Sequence, residues 1–157
     1  MRAAITTLLA LACLTFSACG SKPAATTTPQ LDLDAKFRKL VEGGITLIGR
    51  STNSRSDKID SEERYIISSA SKLEGDTWLL TAKIKYDGHE VPIPLPVHIR
   101  WAGDDTPVIC VTNAGIPGIG SYTARVLLYG DQYAGTWSSS KGDYGGQLFG
   151  KIVRGVP

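Results

Sequence analysis

From Gly44 onward, apolar and polar residues alternate with a period of two, the pattern of strands that bury one face. The clearest stretch is Thr77–Tyr86. There Trp78, Leu80, Ala82, Ile84 and Tyr86 share one face, while Thr81, Lys83 and Lys85 share the other. Turn residues divide the rest into strands over 45–50, 64–73, 77–86, 91–101, 107–112, 122–129, 132–138 and 146–154. Asp87-Gly88 and Gly130-Asp131 supply two-residue hairpin connections, and Gly103-Asp104-Asp105 another turn. The polar stretch 51–61 and the glycine-rich stretch 113–120 read as loops. Before the strands, Leu33, Phe37, Leu40 and Val41 fall on one face of a short helix, which Asp32 or Asp34 can cap and Gly43-Gly44 stop. Its apolar stripe is expected to pack on the sheet.

The strand over 91–101 is unusual. Val91, Ile93, Leu95, Val97, Ile99 and Trp101 line one face, and Pro92, Pro94 and Pro96 alternate with them. In an antiparallel strand alternate residues aim their backbone groups at the same neighbour, so three donors are missing along one edge. A gap or a protected sheet edge is expected there. Eight short strands separated by turns predict a mainly β fold: an antiparallel eight-stranded small barrel or sandwich with one short N-terminal helix. Alternation alone does not separate the two architectures.

The N-terminus follows another pattern. Met1 and Arg2 precede an apolar run over 3–16, shorter than the roughly 18 residues expected of a spanning helix. A charged start, a short apolar stretch and small residues at its end describe a secretory leader. Ser17-Ala18-Cys19 resembles the lipobox of bacterial lipoproteins, with Phe16 in place of the usual leucine. That resemblance implies cleavage between Ala18 and Cys19, a diacylglyceryl thioether on Cys19 and an acylated amine. Gly20, where an aspartate often retains such proteins on the inner membrane, points to the outer membrane. In the alternative reading, cleavage after Ala18 releases a secreted or periplasmic protein. Residues 1–18 are then the leader, 19–30 a small, polar tether, and 31–157 a single β-rich domain.

Charge narrows the partners. The formal net charge is +2, one unit of it from Arg2 in the leader, and no basic stripe of the kind nucleic acid requires is evident. Cys13 leaves with the leader and Cys19 is the anchor, so Cys110 stands alone in an apolar run and reads as a small buried thiol. Without lipidation, a Cys19–Cys110 disulfide becomes available.

Candidate chemistry is sparse. His89 and His98 lack cysteine or carboxylate neighbours at zinc-like spacing, so no metal and no cofactor is expected. Asp104 and Asp105 are explained by turn chemistry. Gly115, Gly118 and Gly120 precede a strand and not the helix of a phosphate-binding loop. Ser121 and Ser138 to Ser140 lack a nucleophile elbow. Among the aromatic residues, Trp78, Trp101 and Trp137 are the candidates for lining a ligand site. Gly135-Thr136-Trp137 and the glycine-bordered final strand resemble small β-barrel lipoproteins and calycin-like barrels; more broadly, the chain resembles secreted bacterial β-rich proteins. The favoured expectation is a non-enzymatic, lipid-anchored envelope protein that binds or scaffolds an envelope protein or glycan. The alternatives are a small periplasmic hydrolase using His98, Asp104 and Asp105, and a lipocalin-like carrier of an apolar ligand.

Overall fold

Hydrogen bonding between the first and last strands closes the sheet on itself. The computed structural model describes residues 30–155 apart from Ser61, Asp87, Gly88, Pro117 and Ile119, and apart from the side chains of Asp57 and residues 84–91. The leader, the Ala18–Cys19 junction, most of the tether and the His89 side chain therefore lie outside the described residues. The elements are α1 (Gln30–Val41), β1 (Ile45–Asn53), β2 (Ser56–Ile59), β3 (Glu63–Lys72), β4 (Thr77–Tyr86), β5 (His89–Trp101), β6 (Pro107–Ile116), β7 (Gly120–Tyr129), β8 (Gln132–Ser139) and β9 (Gly145–Arg154). Each barrel strand pairs antiparallel with the next, and β1 pairs with β9 from Ile45↔Arg154 to Ser51↔Leu148. The result is an up-and-down barrel of eight strands, with β2 as a short flap on the end of β1. A barrel, not a sandwich, resolves the expected choice.

Side chains fill the interior at one end. Ile45, Leu47, Ile67, Trp78, Leu80, Val97, Ile99, Ile109, Val126, Leu128, Tyr133 and Leu148 form one buried cluster. The helix plugs that end, burying Leu33, Phe37 and Val41, with Phe37 edge-on to Trp78 at 4.9 Å. Gly43 and Gly44, both at positive φ, end the helix and turn the chain into β1. Asp34 caps nothing; it is buried, and Lys72 reaches it from β3 at 2.6 Å while Gln30 donates to it. Helix and barrel are thus joined by a largely desolvated ion pair, which resists separation because either partner left alone would be a buried charge.

Five glycines make the closure possible. A Cβ on Gly49, Gly135, Gly145, Gly146 or Gly150 would overlap backbone of the neighbouring strand. These residues concentrate where β8, β9 and β1 bend around the narrow barrel, and the space they leave holds the Tyr133 ring.

The proline edge behaves as expected. Ile99 N–H donates to the Asp76 carbonyl at 2.8 Å, so odd positions of β5 face β4 and Pro92, Pro94 and Pro96 face β6. β5 is paired with β4 along its whole length, but its pairing with β6 runs only from His98↔Cys110 to Trp101↔Pro107.

Two expected loops are strands instead. The polar stretch 51–61 carries the end of β1 and the flap β2, because Ser51 points inward and Asn53 Oδ1 accepts the Arg55 amide to make the turn. The stretch 113–120 extends β6 and begins β7. Asn113, at φ +49°, forms a bulge stabilised by the Thr123 hydroxyl. Cys110 is half-buried, not buried, since its cross-strand partners are His98 and Arg125 on the half-exposed outer wall.

Gly150→Val should destabilise the protein by about 3 kcal/mol or more, because a branched side chain would occupy the space of the Ile48 carbonyl and the Tyr133 ring. Urea denaturation beside the surface variant Gln132→Ala checks this, with little change expected in the latter.

Candidate functional site

The three tryptophans do not meet. Trp78 is sealed beneath the helix, with the Arg38 guanidinium 5.5 Å and the Lys72 ammonium 5.1 Å from its ring centroid. Trp101 packs half-buried against the core at the same, closed end. Trp137 stands at the other end, where its indole N–H donates to the Thr52 carbonyl at 3.2 Å. Its neighbours are Tyr122 and Tyr144, with ring centroids at 6.1 and 5.7 Å. Arg55 lies 4.1 Å over Tyr144 and pairs with Asp143 at 2.6 Å. The Ser139 hydroxyl on Asp143, aided by Arg55, holds that carboxyl below its usual range.

His98 does approach a carboxylate, but one on a different turn from the expected pair. Its Nδ1 lies 2.9 Å from Asp76 Oδ1 and 3.4 Å from Thr77 Oγ1, and Arg100 Nε lies 2.8 Å from the other Asp76 oxygen. The hydrogen bond from His98 and the Arg100 charge hold the Asp76 carboxyl below its usual range. A nucleophile–base–acid relay needs its two partners on opposite ring nitrogens. Here both converge on Nδ1, on an exposed wall. Asp105 accepts from Thr106 Oγ1, and Asp104 offers its carbonyl to Lys36, which is turn and tie chemistry.

A polar cluster occupies the open end of the barrel. Gly49 pairs with both Gly150 and Glu63, so Glu63 faces inward beside the space that the glycines vacate. Ser51 is 3 % exposed, and its hydroxyl lies 3.1 Å from Glu63 Oε1 and 3.3 Å from Asp60 Oδ2. Tyr65 donates to the other Glu63 oxygen. The Tyr133 hydroxyl points to the same region; it is buried and, among the described residues, has no hydrogen-bond partner. Burial, and then the Glu63 charge, push the Tyr133 phenol up to about 12. Burial and the bond to Glu63 raise Tyr65 further still.

The second feature lies on the outer wall. Val108, Leu127, Ala134 and Phe149 follow one another across β6 to β9 at the same register, an apolar row facing solvent. Leu127, Tyr129, Phe149 and Val153 are 36–60 % exposed. Two shallow grooves of about 440 and 650 Å³ adjoin along this row and share Leu127 and Ala134. Strands β6 to β9 contain no Asp or Glu, but carry Arg125 and Lys151, and Arg50 of β1 stands opposite Phe149; Arg154, paired with inward Ile45, instead donates to the Leu40 carbonyl.

Fold and site together define a small, helix-plugged up-and-down barrel with a polar open end and an apolar, basic outer wall. No protein family, no curated protein and no solved structure matches the chain.

Sequence reasoning overlooked Asp60, Glu63, Ser51, Leu127 and Phe149 as functional candidates. The outer row had a signal: Val126-Leu127-Leu128-Tyr129 is apolar without alternation, so one of its faces had to be exposed in a barrel whose outside is wet. The inner cluster had none, because it depends on glycine pairing between distant strands.

An unfolded phenol ionises near 10, whereas Tyr133 keeps its proton to about 12. The folded state therefore binds more protons in that interval, and stability falls as pH rises from about 10 to 12. In Tyr133→Phe this fall should be shallower by about 1 kcal/mol per pH unit, as measured by denaturant unfolding at stepped pH.

Proposed function

We propose that this protein is a lipid-anchored component of the bacterial cell envelope whose barrel is a non-enzymatic binding module for another envelope protein. The anchor rests on Ser17-Ala18-Cys19 and the leader before it. The single observation that carries the binding role is the apolar row Val108–Leu127–Ala134–Phe149, set in a wall without carboxylates. Apolar surface rimmed by cations suits a partner with exposed apolar side chains and acidic neighbours. A second copy of the same wall would bring like charges together.

The carrier reading is less well supported, because Phe37, Trp78, Leu80, Val97 and Leu128 fill the closed half of the barrel where an apolar ligand would sit. The hydrolase reading loses its constellation once His98 pairs with Asp76 and both partners meet Nδ1.

Two measurements test the proposal. Native protein should gain the mass of a diacylglyceryl group and partition with membranes, and Cys19→Ser should lose both; an unmodified, soluble native protein overturns the anchor. In solubilised membranes the protein should run in a complex larger than the monomer, which Leu127→Asp and Phe149→Glu reduce to monomer mass. A monomer in the wild type, or a complex in which two differently tagged copies co-purify, overturns the hetero-partner reading.

A further inference from the structure

We propose that the open end of the barrel binds a calcium ion between Asp60, Glu63, Ser51 and Tyr133. The spacing of histidines and cysteines gives no hint of a metal. The oxygen chemistry of this end does.

Two carboxylates converge on one hydroxyl. Ser51 has one hydrogen to give, yet Glu63 Oε1 stands 3.1 Å and Asp60 Oδ2 3.3 Å from its oxygen. Whichever carboxylate receives that hydrogen, the other faces a lone pair. Among the described residues no lysine, arginine or histidine pairs with either acid: Arg64 is paired with Glu62 and Arg55 with Asp143. The cluster therefore lacks positive charge. It also lacks, among the described residues, a partner for Tyr133, which is 2 % exposed and whose hydroxyl is buried. That hydroxyl lies 2.5 Å from where a Gly49 Cβ would be, on the cross-strand neighbour of Glu63.

A single hard cation meets all these needs. Calcium takes oxygen ligands only, at about 2.4 Å, and two of them at right angles stand about 3.4 Å apart. The spacings about Ser51 are close to that. Asp60 and Glu63 supply two charges, Ser51 and Tyr133 supply neutral oxygens, and the half-buried carboxylates leave the site in reach of water for the remaining positions. Tyr65, bonded to Glu63 Oε2, turns Oε1 toward the site. The all-oxygen set excludes the softer donors that zinc or copper prefer. With two carboxylates and partial hydration, affinity should fall in the range of extracellular calcium modules, a Kd of about 10⁻⁴–10⁻³ M. The site is independent of the outer wall and of the anchor.

The test uses the full-length protein, freed of metal by chelation, with calcium chloride followed by calorimetry and terbium followed by luminescence. Calcium should bind at one site and raise Tm, while magnesium, which demands a tighter octahedral shell, binds at least about tenfold more weakly. Terbium in the same site should emit on excitation of tyrosine, and calcium should displace it. Glu63→Gln and Asp60→Asn should each weaken calcium about tenfold or more with an unchanged circular dichroism spectrum. Tyr133→Phe, which removes one neutral ligand, should weaken it by a smaller factor and dim the terbium signal. No calcium binding at 10 mM (about ten times the expected weakest Kd) overturns the proposal. So does binding that both carboxylate variants leave unchanged.

Discussion

Everything in this molecule depends on β9 reaching back to β1. Eight short strands form a narrow cylinder, and their last pairing can be made only if the backbones of β8, β9 and β1 come closer than side chains allow. Glycine at 49, 135, 145, 146 and 150 is the solution. Without Cβ atoms along this line the sheet bends sharply, and the interior there is left short of side chains. Tyr133, an aromatic residue from β8, lies across the gap with its ring over Gly150 and its hydroxyl over Gly49.

That geometry separates the two ends. At the closed end the space is occupied by helix α1 and by Leu33, Phe37 and Val41, and the Asp34–Lys72 pair fixes the helix to the wall. Such a pair adds little net stability compared with an apolar contact of the same shape, but it specifies how the helix must sit. At the open end the glycines take the place of core side chains, and polar groups follow: Ser51, Glu63, Tyr65 and the Tyr133 hydroxyl. One end is therefore sealed by the helix over a hydrophobic core, while the other carries an oxygen-bearing cluster beside the Trp137, Tyr122 and Tyr144 rings, built on the same eight strands.

Much of the architecture was legible because it is local. Alternation placed eight strands close to their observed limits, and Gly130-Asp131 marked its hairpin, with Tyr129 paired to Gln132. The prolines of β5 even indicated where the ladder would part. What was not legible depends on contacts far apart in the chain. Asp34 looked like a cap until a lysine 38 positions away claimed it. The stretch 51–61 looked like a loop because its polar residues are half of a flap whose inward member, Ser51, finds its partners in Asp60 and Glu63. The grouping of Glu63 with Tyr133 needs the closed barrel, and no window of sequence contains both.

The proline edge has a consequence for how such a protein survives at high local concentration. A barrel whose wall is unzipped over part of one seam exposes a free strand border, and a free border is ordinarily a template on which another chain can grow a sheet. Growth needs donors as well as acceptors. Along the border of β5 that faces the gap, Pro92, Pro94 and Pro96 leave carbonyls alone. An incoming strand would find half of its hydrogen bonds unanswerable there. The β5 border of the opening is thus disarmed against amyloid-like stacking by the same residues that create the gap.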